Sequence, residues 1–594
     1  MQAKSNSAKH THTKGRSLAR TVAMILLLAL TATLIGCGKK EEGANLDAIK
    51  DKLKENIEAQ NAQKEKEPEA DTGKIDEVPE EEEIARSNGV ESFEQVYLKA
   101  RYDSEWDENH DHKNYLNYNY EKIELGDADA KKYPELAKKL MIVNDLIVTE
   151  ESNSYMSRMK EYQAKDDKEI DIEFDDFLLP YKEDWKIYKR RSDSAVFSIV
   201  TVHTDYASVD YNRVHFTGYN FDPKTGEEFK LSDVVKDEDA FIELVAKKAL
   251  PLLQSELPDG VDYTDEGMIA DVREYLQTDI RGNWTLDPEG VSVWFDSHTL
   301  LPISMHVSVL FADDPEGKIF ADSYRENAPE NWTLYMPFYT QESFFSADTD
   351  RINTLQITES YADLDGYEYV NGLWVYCNGV EDKVMLGDEI SINNMALVHK
   401  GDQTYFFLEY SEYEYNSIET FVFKNDKVKM ISAVSGSVAS IPWEELEEDD
   451  YMIPNMLLSD PTNITVNCLT DTLSTCSSMR HYILEDGGEL EGVEDYYTLL
   501  PDSQYEIRAK YNISGLHVVD KETHEVLSDT YDMKVGDTFK MLYTDDQTYV
   551  DGLLKDGTMV RVMIKADPEG WRYVPTDEGD IEVWQSFDDM FFAG

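Results

Sequence analysis

The chain has 594 residues, 41% of them hydrophobic with 36 Tyr and 22 Phe, which is enough for roughly two to four domains with cores of their own and excludes a wholly disordered protein. Its 120 Asp+Glu stand against 57 Lys+Arg, a formal charge of -63. A field of that sign repels nucleic acid and anionic headgroups and draws basic partners or divalent ions, so a role on DNA or RNA is set aside.

Lys4, Lys9, Lys14, Arg16 and Arg20, with no acidic residue among them, precede the apolar run Val22 to Ile35, the layout of a secretory signal. The run closes on Leu34-Ile35-Gly36-Cys37, a small residue before a thiol where a bacterial lipoprotein is cut and lipidated, so Cys37 is the expected lipidation site. About 14 apolar residues fall short of the roughly 20 that span hydrocarbon. Residues 1–36 therefore read as a lipoprotein signal peptide, and the rest of the chain is expected on the extracellular face of the cell membrane, held there by its lipid. Cleavage takes away five of the 57 basic residues and no acidic one, leaving 52 against 120, a charge of -68. Three cysteines remain after Cys37, namely Cys377, Cys468 and Cys476, too few for a disulfide framework.

Residues 37–91 are rich in Glu, Lys, Asp, Ala and Gln, and from Cys37 to Gly89 no aromatic residue occurs. Such a segment cannot bury enough apolar surface to fold and reads as an acidic disordered tether, of coil dimension roughly 40 Å. Residues 92–345 read as an α+β domain, an antiparallel sheet with helices. Tyr133-Pro134-Glu135-Leu136 opens a helix with Leu140, Val143, Leu146 and Ile147 on its apolar face, running to about Gln163. Ser194 to His203 and Val214 to Asn220 read as paired strands. Asn220 to Phe229 reads as a turn, with Pro223 fixing one corner and Gly226 supplying a positive φ. A second helix starts near Glu238, a third amphipathic pattern covers Met268 to Ile280, and strands return at Val291 to Phe295 and Ile303 to Phe311.

Residues 346–594 read as a β-rich region, a meander, a sandwich or an SH3-like barrel, with room for two small domains. Leu373 to Tyr376, Tyr405 to Leu408, Phe421 to Phe423 and Val428 to Ile431 are strand candidates, with Lys400-Gly401-Asp402 and Asn425-Asp426 as turns. Asp556-Gly557 between Leu553-Leu554 and Met559-Val560 is a hairpin signal.

The order of Tyr133-Pro134-Glu135-Leu136, Asn144, the turn Asn220 to Leu231, Trp284-Thr285-Leu286, Gly290-Val291 and Pro302 resembles one bacterial extracellular family. It is the domain of unknown function found outside the membrane in lysozyme-sensing anti-sigma factors and in front of some peptidoglycan deacetylase domains. The resemblance covers Tyr118 to Tyr339 and implies a lysozyme-like basic protein or a peptidoglycan fragment as ligand. Members carry a Gly-Gly-Ala-His-like loop where this chain has Asp205 to Tyr211, so ligand contacts made by that loop are not carried over.

No Gly-x-Ser-x-Gly elbow, His-Glu-x-x-His, phosphate-cradling glycine loop or Cys-x-x-Cys pair occurs, so no catalytic residue, cofactor or metal is assigned. Asp363-Leu364-Asp365-Gly366-Tyr367-Glu368 alternates oxygen ligands before a glycine, as Ca²⁺ requires, but lacks the distant bidentate Glu and reads better as a β-turn. His110-Asp111-His112 offers two imidazoles to a transition metal with no third ligand at a telling distance, and reads better as an exposed loop. Tyr410, Tyr413 and Tyr415 alternate with Glu409, Glu412 and Glu414, either an exposed aromatic row for sugars or basic partners, or a strand with its tyrosines packed inside. The reading that results is a non-enzymatic, surface-anchored lipoprotein of a Gram-positive-type cell envelope, binding a basic protein or peptidoglycan. Its rival is a cell-wall polysaccharide-modifying enzyme whose carboxylates come together only in the fold.

Overall fold

The computed structural model of the protein describes residues 89–107, 113–165, 170, 180–208, 211–256, 264–279, 283–300, 304–327, 329–338, 340–346, 351–364, 367–413, 415–438 and 453–592. These form one compact unit. It is mostly β, with an α+β N-terminal part and a β-rich C-terminal region.

The first sheet is built from β1 (Val96–Asp107), β2 (Lys113–Leu125), β3 (Tyr181–Ser192), β4 (Phe197–Ser208) and β5 (Tyr211–Phe221), in that order across the sheet. All neighbours are antiparallel except β2 and β3, whose parallel pairing is allowed by the long crossover through helix α1 (Pro134–Gln163). Pro134 stands where a helix tolerates it, in the first turn, and Leu136, Leu140, Val143 and Ile147 recur at helical spacing on the buried side. They meet Ile123, Ile187, Phe197 and Ile199 of the sheet in one core. Beyond Tyr120, where pairing with β3 ends, the outer edge of β2 is satisfied by a side chain: Asn144 Oδ1 accepts from Ile123 N and Asn144 Nδ2 donates to Ile123 O, both at 2.9 Å.

The turn after β5 forms as its composition dictates. Gly226 has φ 66°, and Asp222 Oδ1 accepts from Lys224 N and Thr225 N. Helices α2 (Glu238–Glu256) and α3 (Asp265–Asp279) follow and pack on each other. A small sheet of β6 (Trp284–Asp287), β7 (Gly290–Phe295) and β8 (Met305–Leu310) lies against the first sheet, with Trp294 packed on Val200, Val202 and Phe216. Asn220 joins the two sheets, donating to Trp284 O at 3.0 Å and accepting from Leu286 N at 2.6 Å.

The next two sheets pack face to face. One comprises β10 (Gln341–Ser346), β11 (Arg351–Leu364), β12 (Tyr367–Cys377) and β13 (Val380–Met385). The other comprises β9 (Trp332–Tyr335), β14 (Ile390–Lys400), β15 (Gln403–Glu412), β16 (Tyr415–Lys424) and β17 (Lys427–Ser435). Trp332, Phe344, Leu355, Val375, Leu397, Phe406 and Phe421 share the core between them. The second sheet's other face, carrying Tyr335, Ala396, Val398, Tyr405 and Phe407, belongs to the same core as the first sheet. The chain then returns through β18 (Ser437–Val438) to β19 (Ile453–Leu457), which pairs with β1 as the outermost strand of the first sheet. Pro454 fits there because only an edge strand spares an N–H. The remaining strands, from Ile464–Thr470 to Phe587–Asp588, form mainly one large sheet with its own core around Ile507, Phe539, Met541, Val560 and Phe587.

Candidate functional site

Three connections far apart in sequence converge on one cleft of about 420 Å³, within the range of ligand sites. The first is Pro288-Glu289, the two-residue link between β6 and β7, whose ends are set by the pairing of Asp287 with Gly290. The second is the segment around Pro329, Glu330 and Trp332 that leads into β9, and the third is the β14–β15 turn at Gly401 and Asp402. Antiparallel pairing of β9 with β14 places Trp332 directly opposite His399, and their rings stack at 5.1 Å with 6° between planes. Phe311 and Phe345 complete the aromatic lining.

The polar groups are almost all acceptors. Glu289, Glu330 and Asp402 line the cleft, and among the described residues none of its lining is Lys or Arg. Glu289 Oε2 accepts from Phe345 N at 2.8 Å. Burial pushes the Glu289 carboxyl up to about 7, against the downward pull of that N–H. His399 is shifted the other way: burial lowers its pKa, opposed by its contact with the Gly401 backbone and by Asp402, and its Nδ1 lies 2.9 Å from Thr404 Oγ1. Burial thus raises the acid and lowers the imidazole of one cleft, a poise common at functional sites.

Behind the cleft, three consecutive cations are buried. A β-bulge between Lys189 and Arg191 breaks the in-out alternation of β3, so that Lys189, Arg190 and Arg191 are all within 1% of complete burial. Arg190 binds two carboxylates at once. Nε and Nη2 donate to Asp287 at 3.1 and 2.6 Å, and Nη1 and Nη2 donate to Glu342 at 2.8 and 2.9 Å. Ser292 donates to Asp287, Ser308 donates to Glu342, and the guanidinium lies 5.0 Å from the Trp294 ring centre. Burial alone would raise Glu342, but Arg190 and His306 together outweigh it and hold the carboxyl far below the usual range. His306 stacks on Trp294 at 4.4 Å, and its Nε2 stands 3.2 Å from Glu342 without the alignment of a hydrogen bond. Because Asp287 sits at the root of the β6–β7 link and Glu342 on β10, this cluster clamps together the two elements that carry Glu289 and Phe345. Lys189 donates to Leu458 O at 2.6 Å and to Thr333 Oγ1, and burial lowers its pKa to about 7 against the pull of Asp193 and Asp460.

No family model and no curated protein matches the sequence. Among solved structures, a DUF3298 family protein from Pseudomonas aeruginosa aligns with a TM-score of 0.25 at 11% identity, over 38% of this chain and 95% of its own. A member of the DUF3298 family from Bacteroides fragilis aligns with a TM-score of 0.28 at 11% identity, over 41% of this chain and 98% of its own. Both are representatives of a domain of unknown function. At such scores neither lends this chain a site residue or an activity.

Cys37, the tether as far as Asn88, His110-Asp111-His112, Asp365 and Gly366 lie outside the described residues. Strands β11 and β12 pair through Asp363 with Glu368 and Leu364 with Tyr367. Among the described residues no group of three or more His, Cys, Asp or Glu is arranged to hold a metal ion. The tyrosine row is split. Tyr410 is buried and donates to Glu419 at 3.0 Å, whereas Tyr413 and Tyr415, at the β15–β16 turn, are 71% and 73% exposed. Cys377, Cys468 and Cys476 are free thiols, and Cys468 Sγ rests 3.3 Å from Ser478 Oγ. Asp205 closes an ion pair with Arg158 of α1 at 2.5 Å. Asn144 and Asn220, singled out with the family resemblance, are both structural, each standing in for a missing strand partner.

Sequence reasoning missed Glu289, Glu330 and His399. Nothing local marks them, since each is one polar residue near a strand end. The Lys189-Arg190-Arg191 run did carry a signal: three adjacent cations closing a strand are unusual in a chain with twice as many acidic as basic residues.

Proposed function

We propose that this chain is a lipid-anchored surface protein that binds a basic partner outside the cell, without catalysing a reaction. The observation that carries the binding role is the cleft: about 420 Å³, aromatic on its walls, lined by Glu289, Glu330 and Asp402 and, among the described residues, by no Lys or Arg. A site of that lining favours a ligand that brings hydrogen-bond donors and positive charge, and the chain's large excess of acidic over basic residues speeds encounter with such a partner. The anchor is supported by Leu34-Ile35-Gly36-Cys37 at the end of an apolar run. Among the described residues no helix is long and apolar enough to cross a membrane.

A lysozyme-like basic protein is the partner we favour, and a peptidoglycan fragment is the alternative. Titrating the full chain with lysozyme should give saturable binding at low salt that weakens as salt is added, as screening requires. Absence of binding at low salt removes the proposal. For the anchor, labelling with palmitate should mark the wild-type chain and leave Cys37→Ala unlabelled.

One observation favours a second reading, a polysaccharide-modifying enzyme. Glu289, pushed up to about 7 by burial in a cleft that Glu330 and Asp402 also line, has the poise of a general acid. Incubation of the full chain with peptidoglycan separates the readings: cleaved glycan or released acetate that disappears in Glu289→Gln establishes the enzyme.

A further inference from the structure

From the lining of the cleft we infer that it receives a single organic cation, a guanidinium or ammonium group on a short alkyl stem, seated between Phe311, Phe345 and His399 with its charge on Glu289. This rests on the reading above that the partner is basic, and it names the group of that partner which enters the protein.

The walls and the acceptors together select this ligand. Phe311, Phe345 and His399 give an alkyl stem apolar surface and give a cation aromatic faces. The Phe345 N–H occupies Glu289 Oε2, which fixes the carboxyl in place from β10. Glu330 and Asp402, both exposed, stand at the mouth on two other segments. Among the described lining residues an anionic ligand would meet three carboxyl groups and no Lys or Arg. A sugar ring has no free aromatic platform at the cleft's largest ring, because Trp332 is 5% exposed and already covered by His399.

Seating a cation beside Glu289 favours its ionised form, so the carboxylic acid gives its proton to solvent as the ligand enters. Proton and ligand then compete for one group. The titratable groups that line the cleft with it are His399, Glu330 and Asp402, and the influences acting on Glu289 itself are its burial and the Phe345 N–H. With a midpoint of about 7, the ionised fraction falls about tenfold between pH 8 and pH 6, and affinity falls with it.

The test is a titration of the full chain with ethylguanidinium, observed by NMR of the ligand, at pH 8 and pH 6, with uncharged ethylurea as the control of equal shape. The cation should bind saturably at pH 8 and about tenfold more weakly at pH 6, and ethylurea should not bind. Glu289→Gln, whose amide oxygen still accepts from Phe345 N, should bind weakly at both pH values, and Asp402→Asn at the mouth should lose affinity with its pH dependence intact. Equal binding of ethylurea, or cation binding untouched by Glu289→Gln, overturns the proposal. If lysozyme binds the full chain while ethylguanidinium does not, the cation pocket fails and the wider reading stands. If ethylguanidinium binds as described and no basic protein does, the pocket stands and the wider reading fails.

Discussion

Arg190 shows what a buried charge does in this protein. It is fully enclosed and shared between Asp287 and Glu342, so it costs a large desolvation that only its paired bonds offset. Removing it strands two carboxylates. Arg190→Met should lose about 3–5 kcal/mol in denaturant unfolding near neutral pH. The loss should shrink as pH falls and the stranded carboxylates take up protons; a deficit that does not change with pH would contradict this account. Asn144 makes the complementary point with neutral groups. Asn144→Leu keeps the bulk but leaves Ile123 N and O buried without partners, and should cost about 2 kcal/mol. At this scale, the Asn-Asp turn at Asn425-Asp426 was legible, both residues having positive φ, whereas the partner of a lone Asn144 was not. An asparagine within a helix pattern says nothing about which strand edge it will cap.

Among the elements, those governed by local chemistry were read correctly and those governed by distant pairing were not. Helix α1 begins at Pro134 and ends at Gln163, as its apolar spacing and polar tail indicate, and the Asp556-Gly557 hairpin forms with φ 84° at Gly557. The register of β9 on β14 and of β19 on β1 spans tens to hundreds of residues and leaves no periodicity in either strand. The cleft depends on the first of these pairings, so its residues could not be assembled from the sequence. Close approach between elements supplies a further test. A Cβ on Gly218 would stand 2.0 Å from Trp284 O, across the junction of β5 and β6 that Asn220 holds together. Gly218→Ala should therefore destabilise the protein by about 3 kcal/mol, seen as a lowered melting temperature. An unchanged melting temperature would mean that the two sheets do not meet there.

For the whole molecule, charge sets both stability and encounter. Glu121, Glu289 and Glu409 are each pushed up to about 7 by burial, partly offset by hydrogen bonds from Ile187 N, Phe345 N and the Asn394 amide respectively. Between the unfolded value near 4.5 and about 7 these three groups bind more protons in the folded protein than in the unfolded chain, so their contribution to stability falls as pH rises through that window. Relief of repulsion in a chain of charge -63 acts in the same direction. The melting temperature should be higher at pH 5 than at pH 7.5, and Glu409→Gln, at a buried position, should flatten the difference. The acidic composition and the α+β to β-rich progression were legible at this scale because they are sums over many residues. What the sums conceal is that the negative field has a concave, aromatic-walled place to act.

The measurement that bears most directly on the proposed function is hydrogen exchange of the full chain with and without saturating lysozyme. The account predicts new protection concentrated at the β6–β7 link around Glu289, at Phe311, and at the β14–β15 turn around Gly401 and Asp402. Protection confined to other surfaces, or no change on adding lysozyme at low salt, would contradict it.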